Sequence, residues 1–541
     1  MDLLFGKGDD NFPFWLLTVR VNVLLFVLCT VALLARNLSR GGLREAFAQV
    51  DFGIALAWTA VAAGLRFFVA EHNLSDLGGI GYSRILLGYN GHFGAAQLYS
   101  LVYARTARDL EHAILLNRLA ATMTVPLVYM LCRRLVPTMR AFAMISTALV
   151  ALHPLHVLFS ATDSLSISPS LLAAGSYLLL VSAVGATNAA PRARALSVLA
   201  AAAGLTLLTQ VRYENILFLV PVAIYLFSTR RALELRWFAP AAVCFILFMG
   251  VYVFEALSAG SSYLALNPTH LDECLRGARE LFGNPIFAIV PVLVGTIAAI
   301  GDRGSRVRWL APLPLLAAVS LIVLPNTLPH HLARTYSNQV LPLSLIAGYG
   351  LALLWESPWR ALHVIPVGCV LWAAALPLLF WPTLHERHLE TAEHDFFRAA
   401  MASLPAGIDR VIVPDDDALF RETHSTIEAM NKYHMIAAAA GAGGIELLGM
   451  TRFLEHRADI DCHRGNCLFF RGVPCLDLPY YRFAAATCAQ LTATLVAPPL
   501  REEAVVAGSF LDCSIYRGAA RQQMCEPARR PRQLAFYRIA N

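Results

Sequence analysis

The sequence predicts a mainly α-helical membrane protein, a bundle of about 12 membrane-spanning helices followed by a small α/β domain outside the cytoplasm. Of the 541 residues, 57% are hydrophobic and only 15% are charged, and the mean hydropathy is +0.56. Soluble domains carry about 25% charged residues, whereas lipid removes the need for a charged surface. The net charge of +6 therefore does not indicate nucleic-acid binding, because most of it lies in short loops between apolar segments.

Twelve apolar segments are long enough to cross a bilayer, or nearly so. They are Leu16–Ala35, Phe52–Ala70, Ala113–Leu131, Ala141–Phe159, Ile167–Val184, Ala195–Thr209, Ile216–Phe227, Phe238–Leu257, Pro285–Ile300, Trp309–Leu324, Val340–Trp355 and Ala361–Phe380. A helix needs about 20 apolar residues to span, and several of these segments are shorter. They define a transmembrane domain at residues 1–383 and a soluble domain at residues 384–541.

Arginine is distributed unevenly over the loops between these segments. If the N-terminus lies outside, every inner loop holds at least one arginine, and the longer outer loops hold few. This assignment satisfies the positive-inside rule along the whole bundle. It predicts that both termini and the soluble domain lie outside the cytoplasm.

The soluble domain contains six cysteines. They are Cys462, Cys467, Cys475, Cys488, Cys513 and Cys525. In an exported domain they predict up to three disulfides, with fifteen possible pairings. Cys462 and Cys467 are close enough in sequence to close a small loop. A zinc site that includes His463 is the alternative, and it is disfavoured because the spacing matches no standard ligand pattern.

Helical and strand-like patterns alternate in the soluble domain. A helix is predicted at Phe396–Leu404, and strands are predicted at Arg410–Pro414, Ile445–Phe453, Cys467–Arg471 and Leu534–Ile539. This alternation is typical of a small α/β domain.

The predicted outer loops hold the polar residues that point to a functional site. The first loop, from Glu71 to Glu111, is long for a connector. Polar groups near lipid are costly, and they are usually functional or paired with one another. The candidates in all the outer loops are Glu71, Asp76, Tyr82, Arg84, Asp163, Arg212, Glu214, His330, His331, Arg334 and Tyr336.

Structural explanations compete with functional ones at several of these positions. Arg66 is expected to extend from a helix end towards water. Arg212 and Glu214 could simply pair with each other. His330 and His331 have no nearby acid that would complete a metal site, so contact with phosphate or a plain interfacial position is favoured.

A series of features follows in a fixed order along the chain: Arg66 at a span end, the loop with Asp76, Tyr82 and Arg84, the span from Asn117-Arg118 to Arg133-Arg134-Leu135, Pro154–His156, the stretch from Gly204 to Asn215, and a His-Arg-Tyr loop before Leu341-Pro342. This order resembles the GT-C superfamily of polyprenyl-phosphate-dependent glycosyltransferases, in particular family 39, the protein mannosyltransferase and aminoarabinose transferase type. The resemblance covers about residues 50–380, and Leu16–Ala35 is an additional helix before it.

The resemblance implies a GT-C-like bundle and an inverting transferase at the periplasmic face of a bacterial inner membrane. The donor is a sugar on a polyprenyl phosphate, and the acceptor is an unidentified protein, lipid or glycolipid. Asp76 matches the family's general base, with Glu71 as a second catalytic candidate. The residues that the resemblance implies for substrate binding are Tyr82, Arg84, Asp163, Arg212, Glu214, His330, His331, Arg334 and Tyr336. No residue is assigned to a metal, and the need for a divalent cation stays open.

The first loop departs from the family pattern, which has an adjacent Asp-Glu pair. Here Asp76 is followed by Leu77-Gly78-Gly79. Either the second acid is dispensable, or Glu71, Asp163 or Glu214 replaces it. The departure keeps a non-catalytic scaffold open as an alternative, with Asp76 as a plain loop residue.

A lipid or glycan transporter, or flippase, is the other alternative. Transporters tend to show two repeated halves with ionisable groups at the membrane midplane. The sequence shows no such repeat, and its polar groups gather at one face, which favours the transferase.

Overall fold

The fold is a helical bundle with a small sheet near its C-terminal end. The computed structural model describes residues 12–39, 50–73, 110–162, 164, 167–185, 191–211, 213–229, 239, 241–243, 245–246, 285–302, 307–323, 332–415, 433–434, 436–437, 440–442, 444–462, 465–476, 482–493, 499–505 and 532–539.

Helices account for most of the described part of the chain. Those before the sheet are α1 (Phe12–Ser39), α2 (Val50–Gly64), α3 (Leu110–Leu135), α4 (Arg140–Leu152), α5 (Pro154–Ser160), α6 (Ser168–Gly185), α7 (Pro191–Val211), α8 (Leu219–Ser228), α9 (Pro285–Gly301), α10 (Leu313–Val323), α11 (Leu332–Trp355), α12 (Val364–Leu379), α13 (Trp381–Leu384) and α14 (Leu389–Met401). Helix α2 continues as a π-helix over Leu65–Val69, and short 3-10 helices cover Tyr213–Phe218, Arg308–Leu310 and Arg360–His363.

Several of these helices are long and apolar enough to cross a membrane. Five helical segments are individually long and apolar enough: Asp51–Val69, Ile114–Leu135, Pro191–Val211, Ser337–Trp355 and Arg360–Leu379. A bent pair and five shorter apolar helices accompany them within the described residues. The sequence prediction of a multi-pass membrane protein is therefore confirmed, whereas the exact number of 12 spans stays a prediction. The segment Phe238–Leu257 lies mostly outside the described residues.

One predicted span is broken. The sequence predicted a single span over Ala141–Phe159, but α4 and α5 meet at His153 with a bend of 53°. Proline has no backbone N–H and clashes with the carbonyl four residues before it, so Pro154 disfavours a straight continuation of α4. It can open α5, because the first residue of a helix needs no N–H partner.

The two faces of the bundle differ in chemistry. At one face the carboxylate of Asp51 lies 2.8 Å from nitrogens of both Arg133 and Arg140. At the other face Glu71, which follows α2, donates its backbone N–H to the carbonyl of Leu384, at the end of α13. We call the second face the outer face, as the arginine pattern predicts. The start of the first outer loop and the start of the soluble domain thus lie at one face of the bundle, opposite Arg133 and Arg140.

Helix α11 is held by close backbone contacts on two sides. A Cβ atom at Gly350 would lie 2.1 Å from the carbonyl oxygen of Pro291 on α9. A Cβ atom at Gly348 would lie 2.9 Å from the Cα of Ser146 on α4. Small residues permit this approach, which favours dispersion contacts between helices in lipid. The first turns of α11 carry Arg334 and Tyr336, so these contacts fix the helix that presents them.

The part of the chain after the bundle, which we continue to call the soluble domain as the sequence predicts, contains a five-stranded mixed sheet among its described residues. Its strands are β1 (Arg410–Val413), β2 (Glu446–Gly449), β3 (Cys467–Arg471), β4 (Arg501–Val505) and β5 (Arg532–Arg538), in the order β2-β1-β3-β5-β4. Strand β1 is parallel to β2 and β3, and β5 is antiparallel to β3 and β4. Helices α15 (Met450–Glu455) and α16 (Arg482–Ala493) complete the domain.

Residues of β1 alternate between the two faces of the sheet. Val411 and Val413 pack with α14 on one face, and Ile412 packs with α15 and α16 on the other. Successive side chains of a strand point to opposite faces, so burying both faces requires an apolar run such as this one. The predicted α/β character of the domain is confirmed.

The predicted strand Ile445–Phe453 is wrong in its second half. Strand β2 ends at Gly449, and α15 begins at Met450. The carboxylate of Asp415, which follows β1, accepts hydrogen bonds from the backbone N–H and the hydroxyl of Thr451. An acceptor from outside the segment thus satisfies the first turn of α15, where helix N–H groups lack partners.

Two disulfides join buried parts of the soluble domain. Cys462 is bonded to Cys467, and Cys475 is bonded to Cys488. The predicted disulfide chemistry is confirmed for these four residues. Cys513 and Cys525 lie outside the described residues.

We expect Gly350→Ala to destabilise the bundle. The added methyl group meets backbone atoms of α9, which cannot yield without moving that helix, so the loss should be about 1–3 kcal/mol. Thermal unfolding in detergent measures it. Gly53→Ala on α2 is the matched control, because no heavy atom lies within 4 Å of the added Cβ. Equal melting temperatures of the two variants would contradict the close contact.

We expect Cys475→Ser and Cys488→Ser to lower the stability of the soluble domain equally. A disulfide across 13 residues contributes about 3 kcal/mol by restricting the unfolded chain. The double variant should lose no more than either single variant, because all three lack the same bond. Mass spectrometry of unreduced protein should recover the linked peptides, and free thiols or stoichiometric zinc would contradict the pairing.

Candidate functional site

Three segments meet at the outer face. The first is Ala70–Asn73, at the start of the long outer loop, the second is Ala161–Ser164, after α5, and the third is Leu384–Thr391, at the start of the soluble domain. We call their meeting place the outer junction. The backbone N–H of Glu71 donates to Leu384 (2.7 Å), and that of Asn73 donates to Ala161 (2.9 Å). Asn73 and Thr162 also pair as an isolated parallel bridge.

The side chain of Asn73 joins the start of the long outer loop to the soluble domain. Its Nδ2 donates to the carbonyl of Glu386 (2.9 Å). Its Oδ1 accepts from the backbone N–H of His388 (2.7 Å) and from the hydroxyl of Thr391 (3.0 Å). The residue is fully buried. Both ends of one neutral amide are therefore satisfied by the start of the soluble domain.

A second buried amide, that of Asn117, holds the segment after α5. Its Nδ2 donates to the carbonyls of Thr162 (2.7 Å) and Ser164 (2.9 Å). The hydroxyl of Thr162 in turn accepts the backbone N–H of Ser164 (3.1 Å). These contacts fix the residues on both sides of Asp163, which itself lies outside the described residues.

The two ends of the first outer loop lie close together. Arg118, near the start of α3, donates to the carbonyl of Ala70 (3.0 Å). His72 has its Nε2 3.5 Å from a carboxylate oxygen of Glu111 and its Nδ1 3.9 Å from one of Glu71. Glu71, the second catalytic candidate, therefore has its carboxylate beside His72 at the loop entrance, and it is partly exposed there.

The break between α4 and α5 is filled by Arg66. The expectation that Arg66 extends towards water is wrong, because the residue is fully buried. Its guanidinium donates to the carbonyls of Val150 (3.3 Å) and Ala151 (3.1 Å), and lies 2.7 Å from Nδ1 of His156. Arginine only donates, so this nitrogen of His156 is the acceptor.

Helix α14 connects the outer junction to the sheet. The carboxylate of Glu393, which is buried, accepts the backbone N–H of Val473 (2.7 Å) and the hydroxyl of Tyr433 (2.8 Å). Burial alone would raise the pKa of Asp395, but the hydrogen bonds and charges of His394 and Arg387 outweigh it and hold that pKa below its ordinary value. The helix is thus tied to Asn73 at its start and to the soluble domain along its length.

Most of the predicted site residues lie beyond these contacts. Backbone alone is described for Glu214, in the 3-10 helix Tyr213–Phe218, and for Arg334 and Tyr336, in the first turns of α11. The candidates outside the described residues are Asp76, Tyr82, Arg84, Asp163, Arg212, His330 and His331.

The junction residues that sequence reasoning missed are the amides. Asn73 lies within the predicted loop, and Asn117, which the resemblance includes without a role, lies near the start of the predicted span Ala113–Leu131. At neither position does an asparagine in the sequence distinguish a buried tertiary contact from a surface amide. Among the described residues, no group of three or more histidine, cysteine or acidic side chains is arranged to hold a metal ion.

No protein-family model and no curated protein matches the sequence. The chain is similar in structure to the oligosaccharyltransferase AglB from Archaeoglobus fulgidus, solved with an inhibitory peptide and a dolichol-phosphate, at 11% identity and a TM-score of 0.48. That match covers 73% of this chain and 64% of AglB, less than two-thirds of its length.

Two further solved structures are similar over most of this chain. ArnT from Cupriavidus metallidurans, bound to undecaprenyl phosphate, matches at 12% identity and a TM-score of 0.42, over 90% of this chain and 97% of that one. The mycobacterial arabinofuranosyltransferase AftD matches at 13% identity and a TM-score of 0.47, over 91% of this chain and 41% of that one.

By their names, these neighbours include an oligosaccharyltransferase and an arabinofuranosyltransferase, and AglB and ArnT were solved with a dolichol-phosphate and with undecaprenyl phosphate. At such identities and TM-scores we transfer no residue, substrate or mechanism from them, and the function we propose is based on this chain's own residues.

Proposed function

We propose that the chain is a membrane glycosyltransferase that moves a sugar from a polyprenyl-phosphate donor to an acceptor at the outer face, with Asp76 as the general base. The observation that carries the proposal is the outer junction. Two loops that hold separate candidate carboxylates meet there through Asn73 and Thr162. The resemblance in the sequence supplies the reaction class.

The covalent chain limits how far Asp76 can lie from the junction. Asp76 follows Asn73 by three positions, and three residues of extended chain reach at most about 11 Å. Asp163 is adjacent to Thr162, which pairs with Asn73. One site can therefore include both carboxylates, and we propose Asp163 as the replacement for the second acid of the family pattern.

Helix α11 supports the donor side of the proposal. Its residue Val340 packs in one apolar cluster with Phe159 and with Ala70 and Ala161 of the junction. Arg334 precedes Val340 by six residues, which corresponds to about 9 Å along a helix axis. We propose that Arg334, with Arg84, Arg212, His330 and His331 as further candidates, binds the donor phosphate, and that Tyr82, Glu214 and Tyr336 contact the sugar or the acceptor.

The proposed reaction is a single displacement. The hydroxyl or amine of the acceptor attacks the anomeric carbon and gives its proton to Asp76. The bond from the anomeric carbon to the phosphate oxygen breaks, and polyprenyl phosphate leaves with the electron pair. Charge grows on the phosphate as the bond breaks, and fixed cations stabilise it. Attack opposite the leaving group inverts the configuration of the sugar.

We expect a reporter fused after Asn541 to behave as an exported protein. The soluble domain shares a face with the first outer loop, opposite Arg133 and Arg140, and arginine-rich loops stay inside. Paired reporters that are active only in the cytoplasm or only outside it measure this. A cytoplasmic signal would contradict the proposed face of the reaction.

We expect Asp76→Asn and Arg334→Ala to impair different steps. Asp76→Asn keeps the shape and removes the base, so kcat should fall about 100- to 10,000-fold with the donor KM nearly unchanged. Arg334→Ala removes a cation from a phosphate that is present before the reaction, so the donor KM should rise. Release of labelled polyprenyl phosphate by the purified full-length chain measures both.

Asp459→Asn is the matched control, because its carboxylate is largely exposed on the soluble domain. Normal turnover by Asp76→Asn would contradict the mechanism. In wild-type protein, movement of the intact donor across the bilayer without cleavage would indicate a flippase, and neither activity would indicate a scaffold.

A further inference from the structure

The contacts of Asn73 go beyond the needs of a loop start. Its amide makes three hydrogen bonds, and all three partners belong to Glu386, His388 and Thr391, more than 300 residues later in the chain. Its backbone N–H is used separately, by Ala161. The side chain is fully buried, so these bonds are shielded from competing water.

The partners of Asn73 move with the soluble domain. His388 immediately precedes α14 and Thr391 lies in its first turn, and Glu393 of α14 accepts hydrogen bonds from Val473 and Tyr433 of the soluble domain. Helix α14 therefore connects Asn73 to the soluble domain. From Asn73 the covalent chain reaches Asp76 within three residues.

We propose that Asn73 is a positioning residue, through which the soluble domain sets the place of the general base Asp76. The inference rests on the proposed function, and it means that the soluble domain helps to position the catalytic carboxylate. Asn73 itself does not touch the substrate. It fixes the point from which the chain leads to Asp76.

Asn73→Ala directly tests the connection between the Asn73 side chain and the soluble domain. It removes all three side-chain bonds, which leaves the backbone N–H of His388 and the carbonyl of Glu386 without these partners. A shift of about 1 Å in a catalytic group can cost about 100-fold in rate. We expect kcat to fall about 10- to 100-fold, while the donor KM stays within about threefold because the phosphate-binding cations are unchanged.

Asn73→Asp separates positioning from a general loss of structure. A neutral carboxylic acid has one donor and one acceptor, like the amide, whereas the ionised form has no donor for the carbonyl of Glu386. Burial raises the pKa of such an acid, whereas hydrogen bonds from the backbone N–H of His388 and the hydroxyl of Thr391 lower it, and the matching protonated form gains population as the pH falls. The activity of Asn73→Asp relative to wild type, at each pH, should therefore rise with falling pH.

Asn466→Ala is the matched control. Its exposed amide donates within the soluble domain, to Asp409 (3.1 Å), and its activity should equal that of wild type. A normal kcat for Asn73→Ala, or wild-type activity of Asn73→Asp at every pH, would overturn the proposal. If Asn73→Ala does not fold, Thr391→Val tests the proposal instead. It removes the hydroxyl that donates to Asn73, so kcat should fall a few-fold. An unchanged kcat would then count against the proposal.

Hydrogen exchange distinguishes failure of this proposal from failure of the proposed function. Loss of the side-chain bonds of Asn73 should speed exchange at Glu386–Thr391 in Asn73→Ala, because the backbone N–H of His388 loses the acceptor Oδ1 of Asn73, but not in Asn466→Ala. Exchange at Ala161 and Thr162 should not change, because Asn73→Ala keeps the backbone N–H that donates to Ala161. If wild-type protein releases no polyprenyl phosphate, the proposed function is wrong, and the exchange experiment still tests the connection between Asn73 and the soluble domain. Unchanged exchange at Glu386–Thr391 would overturn the proposal even in an active enzyme.

Discussion

The outer half of the bundle depends on the buried guanidinium of Arg66. Pro154 ends α4 and leaves carbonyls at the break without their helical partners. In an apolar environment each unsatisfied group costs several kcal/mol, so a broken helix persists only where another group supplies the missing donors. Arg66 supplies them to Val150 and Ala151, and at the same time contacts His156 at the start of α5. One side chain therefore fixes both sides of the break and the direction in which the chain leaves it.

The direction of α5 determines where the chain reaches the outer face. Helix α5 leads to Ala161 and Thr162, which bond to Asn73, and Arg66 itself lies in the π-helix that leads to Asn73. The guanidinium thus joins the two chain segments on the way to the outer junction, below the point where their backbones meet. The wider turn of a π-helix is common at functional sites. Here it occurs in the last residues before the loop that carries Asp76.

The bundle was predictable from sequence because its signal is local. Apolar runs such as Val340–Trp355 identify spans whatever they pack against, and short apolar runs identified β1 and β3 directly. The predictions that failed concern residues whose structure depends on partners far away in the sequence. Thr451 lies in a helix because Asp415, far away in sequence, satisfies its turn. Arg66 is buried because a helix break elsewhere needs donors, and nothing in its own neighbourhood indicates this.

The same distinction applies to the site. The sidedness of the loops follows from counting arginines, so the meeting of outer loops at one face was predictable. The residues that hold them were not, because an asparagine makes no pattern in a sequence.

The chemistry of these amides nevertheless suits the positioning of backbone near a catalytic carboxylate. An amide offers a donor and an acceptor without charge, so Asn73 and Asn117 can fix backbone beside candidate carboxylates without altering their charge balance. A lysine or arginine in either place would bond the same carbonyls, but it would also pair with the carboxylates and lower the basicity that proton removal requires. Neutral amides at positions 73 and 117 thus suit a site that depends on a free carboxylate base.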